Sequence, residues 1–243
     1  MRSGAQYIEP MRAALPRWAK APPGRCAVCG AWPAQPVCAR CIARFAQPVR
    51  RCVTCALPVP GGVATCGACL REPPPLDACF AAVAYAYPWS GLVGRFKFGG
   101  EPGWAAALAE RMTAIPGLAA ELAGADCVVP MPLARARLAG RGFNQALLLA
   151  RRLARGRVEA QMLLRLRETG AQSALDRRGR QANVRGAFGV APQRASRVRG
   201  AAVLLVDDVM TSGASLHAAA LALREAGAAR VAAVVLARTD EPG

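Results

Sequence analysis

The stretch VLLVDDVMTSGAS, residues 203–215, decides how the rest of the chain is read. An apolar run meets two adjacent carboxylates, Asp207 and Asp208, then a small hydroxyl-bearing loop with one glycine, and then a helical pattern from Ser215. A short continuous apolar run before turn-forming residues reads as a strand buried on both faces. The strand is expected to end at the acid pair, with 209–214 turning the chain into the helix. Backbone N–H groups of Thr211, Ser212, Gly213 and Ala214, and the hydroxyls of Thr211, Ser212 and Ser215, would then converge at a helix N-terminus, where the dipole favours an anion. Gly213 permits close backbone approach or a positive φ. A phosphate fits such a turn. Carboxylates beside it accept hydrogen bonds from vicinal hydroxyls or help hold hydrated Mg²⁺, so the ligand is expected to be a ribose 5-phosphate compound. A P-loop is excluded, because no G-x-x-x-x-G-K-[ST] occurs.

Outward from this turn the chain alternates. Residues 80–87, 126–130, 201–206 and 231–237 read as strands. Helical patterns lie on either side of Pro116, over 144–155, and over 215–227 with Gly227 as a C-cap. Such alternation predicts an α/β fold, a mostly parallel sheet with helices on both faces. Ligands then bind beyond the carboxyl ends of the strands.

Eight of the ten cysteines form four C-x-x-C pairs: Cys26 and Cys29, Cys38 and Cys41, Cys52 and Cys55, Cys66 and Cys69. Two residues between thiolates let both sulfurs reach one tetrahedral ion, so eight thiolates make two four-thiolate zinc sites. With every position filled by sulfur the sites are structural. Consecutive pairs would give two small ribbons or knuckles and alternate pairs a cross-braced module; the consecutive arrangement is preferred. Little apolar material lies between residues 25 and 75, so metal is expected to supply most of that region's folding free energy. Cys79 and Cys127, in apolar surroundings, read as core residues. Three successive prolines in REPPPLD, residues 71–77, cannot continue a helix or central strand and mark a linker. The expected organisation is an N-terminal arm over 1–24, a cysteine-rich double zinc domain over 25–75, and the α/β domain over 76–243.

The chain has 243 residues, 53% of them apolar, enough for a sizeable core. No stretch reaches the roughly eighteen apolar residues of a membrane span, and the first twenty residues lack the apolar segment of a secretory signal; a cytoplasmic protein is expected. The formal charge is +17, and residues 135–199, with sixteen arginines and three acids, supply +13 of it. Such a charge attracts nucleic acid or polyphosphate, although a composition rich in Ala, Gly, Pro and Arg also follows from GC-rich coding. Only Lys20 and Lys97 are lysines, against thirty arginines. His217, the single histidine, sits in an apolar helical stretch and reads as packed rather than catalytic.

Residues 203–215 resemble the phosphoribosyl pyrophosphate (PRPP) signature of type I phosphoribosyltransferases. The cysteine pairs, VVPMPLARARLAGRGFNQALLLARRLA (128–154), RLRETGAQSALDRRGRQANVRGAF (165–188) and the signature, in that order, resemble the ComF family over roughly residues 25–240. The resemblance implies a type I phosphoribosyltransferase-like domain after a zinc-ribbon or knuckle module, and an association with DNA uptake in natural competence. It implies a pyrophosphate loop at 129–132 (VPMP), with Pro130 and Met131 as ligand contacts and exposed backbone amides as donors, and a neighbouring element RGFNQ, with Arg141 and an N-capping Asn144. It also implies PRPP contacts from Val209, Met210, Thr211, Ser212, Gly213, Ala214 and Ser215. Arg167, Thr169, Gln172, Arg180 and Asn183 resemble a loop that closes over PRPP, and their polar, arginine-rich stretch reads independently as mobile.

In a phosphoribosyl transfer, oxocarbenium character develops at ribose C1 as pyrophosphate leaves. Mg²⁺, the pyrophosphate loop and Arg167 or Arg180 would neutralise the departing charge, while Asp207 and Asp208 orient the ribose. No base-reading element is recognisable, so the acceptor is open. Two readings follow: a Mg²⁺-dependent phosphoribosyltransferase, or a non-catalytic PRPP or nucleotide-binding module that contacts single-stranded DNA or a competence-machinery protein.

Overall fold

The computed structural model describes residues 24–167 and 186–240. Two compact units divide at the Cys38–Ala39 bond, Met1–Cys38 and Ala39–Gly243. The described part of the first is a tight turn closed by an antiparallel bridge between Gly24 and Ala34.

The second unit begins with α1 (Ala39–Phe45) and α2 (Gly67–Arg71), the short helices that follow the third cysteine of each four-cysteine group. Then come β1 (Ala78–Ala84), α3 (Trp89–Phe98), α4 (Trp104–Thr113), α5 (Leu118–Gly124), β2 (Cys127–Pro130), α6 (Arg135–Arg141) and α7 (Gln145–Leu153). The chain continues through β3 (Leu163–Arg165), β4 (Phe188–Val190), α8 (Ala195–Val198), β5 (Ala202–Met210), α9 (Ala214–Glu225) and β6 (Arg230–Arg238). Four strands make one fully parallel sheet in the order β1-β6-β5-β2. Pro116 separates α4 from α5 as expected, because it cannot donate into a helical ladder.

The two central strands carry the continuous apolar runs that a doubly covered parallel sheet requires. Cys79, Ala81, Val129, Val203, Leu205, Ala233 and Val235 join one buried cluster with Leu216, Ala219, Ala220 and Leu223 of α9. Cys52, Cys55, Ala56 and Cys69 belong to that same cluster. The other face is covered by α4, which meets β6 and β1, and by α7, which meets β5 and β2. Cys79 and Cys127 are buried, and burial pushes the Cys79 thiol up to about 12.

Two strand boundaries differ from the sequence expectation: β1 spans Ala78–Ala84 rather than 80–87, and the end of β5 shifts at the site. β5 runs through the acid pair to Met210 rather than ending before it. β6 keeps pairing beyond the apolar run, Asp207 with Val235, Val209 with Ala237 and Met210 with Arg238, and this non-local ladder holds the polar residues extended. At the far edge, Val128 donates to the Arg157 carbonyl and accepts from Glu159, adding a short parallel bridge beside β2. β3 and β4 form an antiparallel pair, continued by Leu166 donating to the Ala187 carbonyl. No helix among the described residues is long and apolar enough to cross a membrane.

Candidate functional site

At the carboxyl ends of β5 and β2 lies a cleft of about 290 Å³, lined by Met131, Pro132, Leu133 and the whole of residues 207–216, with Tyr85, Lys97, Arg137, Gln145 and Arg165. Extended backbone turns successive side chains to opposite faces, so Asp207 projects with Val203 and Leu205 and Asp208 with Leu204 and Val206. Asp208 is buried, with 3% of its side chain exposed, and its Oδ1 lies 2.9 Å from Lys97 Nζ on α3. Its Oδ2 is buried without a hydrogen-bond partner among the described residues. Asp207 Oδ1 accepts from the Asp208 N–H at 2.8 Å. Burial, and then the charge of Asp208, hold the Asp207 carboxyl well above the usual carboxylate range, against the opposing pull of Lys97. The pair is a donor-hungry set of hard oxygen acceptors. It suits ribose hydroxyls or a hydrated divalent cation such as Mg²⁺.

Beyond Met210 the loop reverses at Gly213, whose φ of +82° starts α9 without a side-chain cap. A Cβ there would lie 2.5 Å from Met210 Cε and 2.9 Å from His217 Nε2, so any other residue would be strained in this conformation and would displace the ends of both side chains. Ala214, Ser215 and Leu216, whose N–H groups precede the first intrahelical bond of α9, line the cleft, the position an anion site requires. Ser212 Oγ accepts from the Ala214 N–H at 3.4 Å.

The VPMP segment behaves differently from the expectation of exposed amides. Pro130 and Pro132 have no N–H, and the Met131 N–H donates to the Val206 carbonyl at 2.9 Å. Cationic side chains therefore face the cleft here: Arg137 on α6 and Arg165 on β3. Asn144 caps α7 by accepting from the Leu147 N–H at 3.2 Å, and its Nδ2 donates to the Met131 carbonyl at 3.0 Å, fixing the segment to the helix. Arg141 donates to Gln145 Oε1 and stacks over the Phe98 ring at 5.2 Å.

Arg167 is exposed and is not among the cleft-lining residues. Thr169, Gln172, Arg180 and Asn183 lie outside the described residues. Lys97 and Arg137 were not singled out from sequence. For Lys97 a signal existed: it is one of two lysines in a chain that otherwise uses arginine. A compact ammonium seats against one buried carboxylate oxygen, where a planar guanidinium asks for a wider set of acceptors.

The thiols gather as consecutive pairs, Cys26, Cys29, Cys38 and Cys41 in one group and Cys52, Cys55, Cys66 and Cys69 in the other, all sulfurs of each within 4.8 Å of one another. The two groups repeat one local design. Cys26 donates to the Ala31 carbonyl at 2.9 Å and Cys52 to that of Leu57 at 2.7 Å. The Cys38 N–H reaches Cys26 Sγ and the Cys66 N–H reaches Cys52 Sγ, both at 3.3 Å. Gly30 and Ala56 occupy the same left-handed position, φ +73° and +57°. The Cys29–Cys38 and Cys55–Cys66 sulfurs are 3.7 and 3.6 Å apart. A tetrahedral ion with metal–sulfur bonds of about 2.3 Å has sulfur–sulfur edges of about 3.8 Å, so both groups fit a four-thiolate metal centre.

Residues 141–242 match the model of the phosphoribosyl transferase domain. The chain is 34% identical to DNA utilization protein YhgH of Salmonella typhimurium LT2 over 89% of its own length and 98% of that protein. Identity to DNA utilization protein YhgH of Escherichia coli K12 is 33% with the same coverage. With Competence protein F of Haemophilus influenzae Rd it is 31% identical over 71% of this chain and 78% of that protein. A chain with a phosphoribosyl transferase domain preceded by two four-cysteine groups, aligning with nearly the whole of the YhgH relatives and over three quarters of Competence protein F, belongs to the ComF family that includes them.

Proposed function

We propose that the chain is a cytoplasmic, Mg²⁺-dependent PRPP-binding protein that transfers the phosphoribosyl group, with release of pyrophosphate, in the context of DNA utilization. The observation that carries this reading is Asp208, whose buried Oδ2 has no hydrogen-bond partner among the described residues, lining a cleft that also holds the Gly213 turn and the start of α9. The loop 211–215 takes the 5-phosphate on backbone amides and hydroxyls. Asp207 and Asp208 accept from the ribose hydroxyls and, with them, are the residues that hold Mg²⁺. When bound, Mg²⁺ supplies positive charge to the pyrophosphate leaving group. Arg137 and Arg165 add guanidinium charge on the pyrophosphate side, and Lys97 holds Asp208 in place. Arg167 and Arg180 remain proposed contributors to closure. The two thiol groups are proposed as structural zinc sites that fold residues 25–75 ahead of the phosphoribosyltransferase-like domain.

The second reading, nucleotide binding without transfer coupled to single-stranded DNA or a competence partner, is favoured by an exposed cationic hollow of about 450 Å³ formed by Arg151, Arg152, Arg155, Gly156 and Val158. The names of the relatives point the same way. Calorimetric titration of the metal-loaded chain with PRPP and Mg²⁺ tests the first step of both. Wild-type binding is expected, with about 2.7 kcal/mol of stabilisation at a hundred times the dissociation constant. Asp207→Asn should weaken it at least tenfold. Unchanged binding in Asp207→Asn, or none in wild type, overturns the assignment of the cleft. Pyrophosphate release with an acceptor then separates transfer from binding alone.

A further inference from the structure

The second four-cysteine group and the phosphate loop meet at one side chain. Arg238, the last residue of β6, is 2% exposed. Its Nε donates to the Cys55 carbonyl at 3.0 Å. Its Nη1 donates to the carbonyls of Met210 at 3.2 Å, of Thr211, and of Thr239 at 2.9 Å, and to Thr239 Oγ1 at 3.1 Å. Cys55 is the second thiol of a knuckle, whereas Met210 and Thr211 open the cleft-lining loop. Two further bonds run alongside: the Cys79 N–H donates to the Val53 carbonyl at 2.7 Å, and the Cys79 thiol meets Met210 Sδ at 3.7 Å.

Each of these Arg238 acceptors is uncharged, although a buried guanidinium is costly without opposite charge nearby. A divalent ion in four thiolates carries a formal charge of −2. Asp240 supplies one nearby negative charge, and such a dianion, built on the residue whose carbonyl the guanidinium touches, would add the compensation that carbonyls cannot. We propose that Arg238 is a positioning residue that ties the phosphate loop to the second four-cysteine site, so that the loop keeps its ligand-ready form only while that site holds its metal. Metal loss removes the compensating charge and also releases the knuckle backbone that presents the Cys55 carbonyl. The guanidinium then holds the Met210 and Thr211 carbonyls from an unanchored base. The second cysteine group thereby supports, through Arg238, the loop that lines the cleft, and its loss or oxidation turns ligand binding off. This inference rests on reading the thiols as a metal site and the cleft as a phosphoribosyl site.

The test follows hydrogen exchange at the amides of residues 211–216, metal content per chain, and PRPP affinity in the presence of Mg²⁺. Arg238→Met is expected to keep both metals while loop exchange accelerates tenfold or more and PRPP affinity falls tenfold or more. Arg238→Lys, retaining the charge but fewer donors, should recover part of both. Stripping metal from the wild-type chain with a thiol reagent should accelerate the same amides, and this arm stands if Arg238→Met does not fold. Wild-type exchange in Arg238→Met, or a protected loop in the metal-free chain, overturns the proposal. If the metal-loaded wild type binds no PRPP, the reading of the cleft fails, and the exchange arms still decide the coupling.

Discussion

Replacing Lys97 by methionine removes the cation from Asp208 and leaves a carboxylate with 3% side-chain exposure beside a second carboxylate, Asp207. At 2.9 Å the gross Coulomb attraction is about 6 kcal/mol for an effective dielectric of about 20. Desolvation of the 18%-exposed ammonium and the more deeply buried carboxylate offsets most of this in the intact pair. The cost of breaking it is larger than its net worth, because one charge stays buried alone, and about 3–5 kcal/mol is expected. Adding Asp208→Asn to Lys97→Met removes the stranded charge and should restore at least half of the loss, giving a strong coupling in a double-mutant cycle. Lys97→Arg should fall between, since the charge returns with the wrong shape. The assay is urea unfolding of the metal-loaded chain, with the slope required to stay constant across variants. A loss under about 1 kcal/mol in Lys97→Met, or additive single variants, would refute the view that this ion pair is a buried, mutually dependent unit.

Gly213→Ala should destabilise the chain by at least the 1–2 kcal/mol of a left-handed alanine and abolish cleft binding, since its Cβ collides with Met210 and His217; calorimetry and urea midpoints check both. Asn144→Ala removes a helix cap and a bond to the Met131 carbonyl together, an expected loss of about 2 kcal/mol, whereas Asn144→Asp should keep the cap and lose only the Met131 contact. Asp77 is desolvated, but the Val231 N–H and the Arg224 guanidinium outweigh this and hold its carboxyl below the usual range. A depressed carboxyl stabilises fully above its unfolded value and loses that contribution as pH falls through the folded one. The gap in urea midpoint between wild type and Asp77→Asn should therefore narrow on acidification from pH 6 to pH 3, and a constant gap would contradict the assignment.

Local signals carried most of the architecture. The buried central strands were legible because a parallel sheet covered on both faces needs unbroken apolar runs, and the thiol groups were legible because C-x-x-C spacing is set by a single turn. What stayed hidden is non-local. The extension of β5 through Asp207 and Asp208 depends on pairing with β6, which two acids in a row would not suggest. Lys97 reaches Asp208 from a helix on another part of the chain, and only its rarity hinted at a role. Arg238 is one arginine among thirty and lies just past the apolar run 231–237, so nothing local marks it, and its five bonds exist only because the knuckle, β5 and the strand's own end converge on it. The amide donors expected at Met131 failed for a similar reason, since neighbouring β5 claims that N–H.

The duplicated knuckle has a consequence for how the chain tolerates change. In the first copy Cys29 stands exposed, whereas in the second Cys52, Cys55, Ala56 and Cys69 lie in the main apolar cluster. A substitution around Cys29 meets solvent and alters one small turn. The corresponding change around Cys55 must be accommodated simultaneously by a metal shell, a packed core and the anchor of Arg238. Two copies of one motif therefore face unequal selective constraint, and a saturation mutagenesis screen for retained folding should find the second nearly invariant at positions where the first accepts many residues.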